Sequence, residues 1–360
     1  MRPGKLCGLA VVVALAATAC GGARDSGPGD GPGASGRGSG RGSGFPVRIA
    51  DCQGRTTTFT APPRKIVTSN AAALEMLLRL GAGDRVIGTG FPPGKGALPG
   101  ELGERARKVP VLGKHIIPKE KLLASGADLY IDTFASMGAM GGAGDAPTPE
   151  EFRAAGIKHL YLASTACAPT NGKPQRDLSA VEGDIRRLGA VTGTAGRADA
   201  LVAGMRAKLS TVREAVGGLA ADERPTYFFF DYDAGTKQPM AVCRKQLANA
   251  VITLAGARNV FDGCDGDFKA VSWEDVVAKD PDWIQLAVRN RGDAAADDAA
   301  YDRAAAFLKS FPATKGLTAV RKGRFLRIGS ERTTIAGVRN AETVEEIART
   351  LHPTRFKAAR

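Results

Sequence analysis

The chain has 360 residues, 43% of them apolar and 24% charged, and a formal net charge of +13. From Phe45 onward about 315 residues of globular composition remain, enough for two domains of ordinary size. The basic balance suits anionic lipid headgroups, an anionic ligand or simple solubility. With no zinc-finger and no aromatic-basic motif, nothing in the chain calls for a nucleic-acid partner.

The chain begins with Arg2 and Lys5, an apolar run over 6–17, and Ala17-Thr18-Ala19-Cys20. Basic region, apolar region and small-residue site in that order predict a signal peptide over 1–19. The apolar run falls short of the roughly 20 residues that span a bilayer, which argues against a retained membrane helix. Cys20, directly after small residues, resembles a bacterial lipoprotein processing site, where the cysteine becomes the lipidated first residue; Ala17 stands where such sites usually carry Leu. Residues 20–44 are almost wholly Gly, Ser, Pro, Ala, Arg and Asp, a composition that cannot bury a core and predicts a flexible, lipidated tether. These features place the protein outside the cell, anchored to the outer face of the cell membrane.

A hairpin is expected over 47–59, around Gly54. Beyond it, amphipathic helix, glycine or proline, and short apolar strand alternate. Apolar residues at helical spacing predict a helix over 71–80, with Ser69 or Asn70 as cap and Gly81 as terminator, and a strand at 85–88. A helix at 119–124 leads past Gly126 into a strand at 129–131. Thr148-Pro149-Glu150-Glu151 reads as a capping box with Pro at the first helical position, and that helix ends at Gly156 before a strand at 159–162. The second half repeats this grammar: strand 226–230, helix 245–254 closed by Gly256, strand 259–261, and a helix opened by Ser272-Trp273-Glu274-Asp275. Strands at 283–288 and 325–328 and a last helix at 342–351, capped by Asn340, complete it. Between the halves, 178–219 lacks strand signals, and 197–216 carries Leu201, Val202, Met205, Leu209, Val212 and Val216 along one face.

Strands alternating with helices predict an α/β fold with mainly parallel sheets covered on both faces. Two such sets predict two lobes, 45–195 and 220–360, joined by a single long helix at 196–219 whose stiffness limits hinge bending. Apart from Cys7 in the signal and Cys20 at the anchor, four cysteines remain: Cys52, Cys167, Cys243 and Cys264. An even number outside the cell predicts two disulfides. Of the three possible pairings, the two-lobe architecture favours Cys52 with Cys167 and Cys243 with Cys264, one inside each lobe. No Cys-x-x-Cys spacing supports a zinc site.

Residues 65–70 and 80–88, the run Gly126-Ala127-Asp128-Leu129-Tyr130-Ile131, the second-lobe run 270–277 followed by Asp280-Pro281-Asp282-Trp283-Ile284, and residues 307–324 resemble a known family. It is that of the helical-backbone substrate-binding proteins of ABC importers for ferric siderophores, haem and vitamin B12. The resemblance runs from about residue 62 to 352 and rests on the order and spacing of its segments. It implies a monomer of two α/β lobes on one helix, a ligand held in the cleft, and delivery to a permease dimer. It also implies docking through an acidic residue on each lobe: Glu274 in the second, and in the first Glu104, ranked ahead of Glu101.

In open α/β sheets ligands collect at the carboxyl ends of strands. The loops there offer Asn70, Phe91, His115, Phe134, Tyr232, Arg289 and Arg332 as ligand residues: aromatic surface from Phe91, Phe134 and Tyr232, and guanidinium groups from Arg289, Arg291 and Arg332 for anionic oxygens. The only histidines, His115, His159 and His352, cannot comfortably assemble a bare transition-metal site. The expected cargo is therefore a chelated or anionic small molecule such as a ferric siderophore, with haem, a corrinoid or an anionic cofactor precursor as alternatives, and no cofactor of the protein's own. The rival class is a secreted lipoprotein hydrolase. Against it, the chain has no Gly-x-Ser-x-Gly, no Ser-x-x-Lys with companions, no His-Glu-x-x-His and no phosphate loop, and Asp231 with Asp233 at a strand end is weak ground for acid-base chemistry. A structural lipoprotein would need no cleft and would join its lobes through a continuous core.

Overall fold

The computed structural model describes residues 44–52, 54–133, 146–168, 170 and 172–356. The signal peptide, Cys20, the tether and Phe134 lie outside these residues.

The expected hairpin forms from β1 (Val47–Ala50) and β2 (Thr56–Phe59), paired antiparallel. After β3 (Ile66–Thr68) comes α1 (Ala71–Leu80). Asn70 starts this helix by accepting the Ala73 N–H on its side chain, and Gly81, at φ 75°, ends it in the left-handed region that glycine enters without steric cost. One turn of 3₁₀ helix, Gly83–Arg85, precedes β4 (Val86–Thr89), so this strand begins one residue later than its apolar pattern suggests. Then follow α2 (Gly100–Arg107), α3 (Lys119–Leu123), β5 (Leu129–Asp132), α4 (Pro149–Ala154), β6 (Lys158–Tyr161) and α5 (Ala163–Ala166). Both halves of the α4 capping box are made, Glu151 N–H to the Thr148 hydroxyl at 3.2 Å and Thr148 N–H to the Glu151 carboxylate at 2.7 Å. The strands build one parallel sheet in the order β4-β3-β5-β6.

Two antiparallel helices come next, α6 (Ser179–Thr192) and α7 (Ala195–Val216). At 22 residues, α7 is about 33 Å long. Its Val202, Met205, Val212 and Val216 are buried, and Leu201 and Leu209 are partly so, the stripe that the spacing predicts. Glu182 of α6, itself buried, receives Arg206 of α7 through contacts of 2.5–3.0 Å.

The second lobe contains β7 (Thr226–Asp231), β8 (Met240–Val242), α8 (Leu247–Leu254), β9 (Arg258–Asn259), β10 (Phe268–Ala270), α9 (Trp273–Lys279), β11 (Trp283–Ala287), α10 (Ala294–Ser310), α11 (Thr318–Arg321), β12 (Phe325–Arg327), α12 (Ser330–Thr334) and α13 (Asn340–Leu351). Its parallel sheet runs β12-β11-β7-β9, and β8 pairs antiparallel with β10. Helix α10 and the β8/β10 pair go unannounced in the sequence pattern. The buried face of α10 is mostly alanine (Ala300, Ala304, Ala305, with Leu308), which carries little periodic hydrophobic signal, and the two strands have three residues each. Asn340 is the first residue of α13 and not its cap. Its side chain accepts the Gly337 N–H at 2.8 Å and donates to the Arg332 and Ile335 carbonyls at 3.0 Å each, tying the loop before the helix.

Both disulfides form in the expected pairing, Cys52 with Cys167 and Cys243 with Cys264, at Cα separations of 5.3 and 5.0 Å. The largest apolar core is continuous between the lobes: Leu74 and Leu77 of α1 and Leu188 of α6 belong to the same cluster as Val251 of α8 and Ile347 of α13, with α7 packed through it. A helix that crosses from one lobe to the other carries its buried stripe through both, so the continuous core expected of a structural lipoprotein arises here from the crossing helix and does not separate that reading from a binding protein.

Candidate functional site

At the carboxyl ends of the first sheet, Asn70, Phe91 and His115 come together through the backbone. The Phe91 carbonyl accepts the Ala71 N–H at 3.0 Å, the Phe91 N–H donates to the His115 carbonyl at 3.1 Å, and the two rings meet edge-on with centroids 5.6 Å apart. Phe91 stands at φ 35°, a left-handed conformation that costs a bulky side chain energy and is tolerated where the surroundings enforce it. Asn70 is 3% exposed; its oxygen caps α1, and its side-chain N–H₂ has no hydrogen-bond partner among the described residues. Beneath them, Thr68 donates to Thr89 at 2.8 Å and Ser69 to Thr133 at 3.2 Å, locking the strand ends.

In the second lobe, Tyr232 is half-buried with its ring against Phe230 and Phe307, at centroid distances of 6.1 and 6.4 Å. Arg289 follows β11; its side chain is 53% exposed, and its guanidinium lies 3.8 Å from Asp231. The loop it begins is held by carboxylates. Asp233 accepts the Arg289 N–H at 2.6 Å, Glu331 the Asn290 N–H at 3.0 Å, and Asp297 the Arg291 N–H at 2.6 Å. Arg291 pairs with Asp233, and Arg332 on α12 turns to Glu346 at 2.8 Å. Each arginine expected to meet an anion is thus matched by a carboxylate of its own lobe, and Arg289 is the loosest of the three. Burial pushes the carboxyls of Asp231 and Glu331 above the usual carboxylate range. Asp231 and Asp233 are committed to arginines and backbone N–H groups, an arrangement for holding a loop and not for transferring protons. These acids escape sequence reading because what they hold, successive backbone N–H groups, has no side-chain signature.

The histidines stand on separate elements. His159 on β6 bonds Asp132 at 3.1 Å, His352 bonds the Gly256 carbonyl at 3.2 Å, and His115 is exposed beside Phe91. No group of three His, Cys, Asp or Glu residues fit to hold a metal ion occurs among the described residues.

Glu274 and Glu104 are both exposed, but Glu104 is ion-paired with Arg107 one turn along α2, whereas Glu274 has no ion pair among the described residues. The residue equivalent to Glu274 in the first lobe is Glu120. Each is the second residue of a short helix, α9 or α3, and each stands nine residues ahead of the next strand, at Trp283 or Leu129. Glu120 is also exposed and also without an ion pair among the described residues. The internal repeat of these two segments is the sequence signal that points to it.

The family model described as periplasmic binding protein matches residues 66–331. The chain belongs to the periplasmic binding protein family. Its function is to bind a solute, not to catalyse a reaction, and the core that continues beneath α7 is the spine between its lobes. The chain is 24% identical over 316 residues, 87% of its length, to an uncharacterized ABC transporter substrate-binding lipoprotein, YvrC, of Bacillus subtilis, covering 88% of that protein. Among solved structures it matches a periplasmic binding protein from Veillonella parvula at a TM-score of 0.71 and 23% identity, covering 85% of this chain and 97% of that one. It also matches an ABC-type Fe3+-hydroxamate transport system from Saccharomonospora viridis at a TM-score of 0.68 and 25% identity, covering 85% and 99%.

Proposed function

We propose that this periplasmic binding protein carries a ferric siderophore, of the hydroxamate class, to an ABC permease from the outer face of the cell membrane, to which Cys20 anchors it. The observation that carries the reading is the charge balance of the strand-end loops. Histidines are dispersed, and Arg289, Arg291 and Arg332 are each offset by a carboxylate. Such a site suits a bulky chelate of low net charge better than a bare ion or a polyanion. The 25% identity to the Fe3+-hydroxamate transport system supports the same class. In this reading Asn70, Phe91 and His115 meet the ligand from the first lobe, and Tyr232 and Arg289 from the second. Glu274 and Glu120 meet basic side chains of the permease, with Glu120 taking the place first given to Glu104.

Fluorescence titration tests the ligand class. Trp273 lies 5.4 Å from Phe230, which touches Tyr232, so a ligand on Tyr232 perturbs the indole through two rings. Ferric trihydroxamate, ferric catecholate, haem and cobalamin are titrated in turn, with thermal shift alongside. A trihydroxamate at 100 times its Kd should add about 2.7 kcal/mol of stability. A rise in melting temperature with haem or cobalamin alone reassigns the cargo, and no rise with any of the four removes the proposal.

A further inference from the structure

Two sets of hydrogen bonds join the lobes at opposite edges of their sheets, and they differ in kind. At the β6 and β9 edge, the segment after α5 crosses to the second lobe through Gln175, which is 9% exposed. Its N–H donates to the Arg244 carbonyl at 2.8 Å, its side-chain amide to the Ser164 and Lys245 carbonyls at 2.9 and 2.8 Å, and its carbonyl accepts Asn249 Nδ2 at 3.0 Å. Buried polar groups continue the chain on either side. Asn259 Nδ2 donates to Asn249 Oδ1 at 3.0 Å and to the Val242 carbonyl at 2.9 Å, while the Ser164 N–H and hydroxyl donate to Asp184 at 2.9 and 2.5 Å. A disulfide anchors each end: Cys167 close to Ser164 is bonded to Cys52, and Cys243 beside Arg244 to Cys264.

At the β4 and β12 edge the contact is slight. The Lys95 N–H donates to the Gly292 carbonyl at 2.6 Å and Arg339 to the Ala97 carbonyl at 2.7 Å. Lys95 and Gly292 are exposed and meet through their backbones, and a Cβ at Gly94 would run into the Asn290 side chain. Breaking the buried set strands donors and acceptors away from water and carries their full desolvation penalty, whereas water replaces the exposed partners at little net loss.

We propose that the Gln175 strap is the hinge and the Lys95–Gly292 contact a latch: the lobes part by pivoting about the β6/β9 edge, and solute enters from the β4/β12 edge. This does not depend on which solute is bound. Native-state hydrogen exchange on the ligand-free, disulfide-intact protein tests it. The Gln175 amide should be protected at least about 100-fold more than the Lys95 amide, since one reports buried and the other exposed opening. Lys95→Pro, which removes the latch donor, should speed exchange at residues 290–293 by about tenfold, the worth of one net hydrogen bond, and leave Gln175 and Asn249 unchanged. Gln175→Ala should raise exchange at both edges. Equal protection of the two amides overturns the proposal, as does loss of protection at Gln175 in Lys95→Pro. Those two measurements stand even if Gln175→Ala fails to fold.

Discussion

Glu331 illustrates how a single side chain ties the site to pH. It accepts the Asn290 N–H at 3.0 Å, yet burial outweighs that bond and raises its carboxyl above the ordinary 4.5. The folded state therefore holds the proton more tightly than the unfolded chain. Its protonation adds stability as pH falls through the raised value, and the whole gain is present below the unfolded one. Wild type should accordingly gain melting temperature relative to Glu331→Gln as pH is lowered from neutrality to below the ordinary 4.5; a constant offset between the two would refute this. If Glu274 and Glu120 dock the permease as proposed, Glu274→Arg and Glu120→Arg should each abolish transport while leaving ligand affinity in the fluorescence titration unchanged, whereas Glu104→Arg, at a carboxylate already paired with Arg107, should leave transport intact. Asn70, Phe91, Tyr232 and Arg289 are candidates from the sequence because strand-end loops are where α/β folds bind, and the structure places them at strand ends. Which arginine stays available could not be read there, since Arg332 is claimed by Glu346 from a helix that follows later in the chain.

Among the elements, the helix ends are the most legible. Gly256, at φ 78°, closes α8, and a Cβ there would approach the Val216 side chain to 2.9 Å. Gly256→Ala combines left-handed strain with that overlap and should cost about 1–3 kcal/mol, read as a lower urea midpoint at unchanged slope. Leu188 on α6 is 0% exposed beneath α7, so Leu188→Ala should cost about 2–5 kcal/mol. Loop-closure entropy ranks the disulfides. Cys52–Cys167 spans 115 residues and Cys243–Cys264 spans 21, so serine replacement of the first pair should destabilise by about 4–5 kcal/mol and of the second by about 3. The reverse order would mean that native packing, not the unfolded chain, sets their contribution. Elements with a strong stripe or a cap, α1, α4, α7 and α9, stand in the sequence almost to the residue. Helix α10 does not, because an alanine face buries well while scoring as featureless.

At the scale of the molecule, the shared core predicts cooperative behaviour. Without ligand, heating should give one calorimetric transition, because separating the lobes would expose the buried face of α7 to water on both sides. Two resolved transitions would show that the lobes melt independently and that the spine is weaker than its burial implies. The proposed lipid anchor is tested separately: Cys20→Ala should move the protein from the membrane fraction to the soluble extracytoplasmic fraction without altering ligand binding.

The sequence by itself pointed to the α/β class, the two lobes and the crossing helix, and among three cysteine pairings favoured the one within lobes. All of these follow from periodicity, caps and spacing, which are local or nearly so. Only the tertiary structure decided that Arg289, Arg291 and Arg332 each meet a carboxylate of their own lobe, and that buried hydrogen bonds through Gln175 join the two lobes. Those properties arise between residues far apart in the chain. Whether a guanidinium faces a ligand or a carboxylate depends on distances that no one-dimensional pattern records.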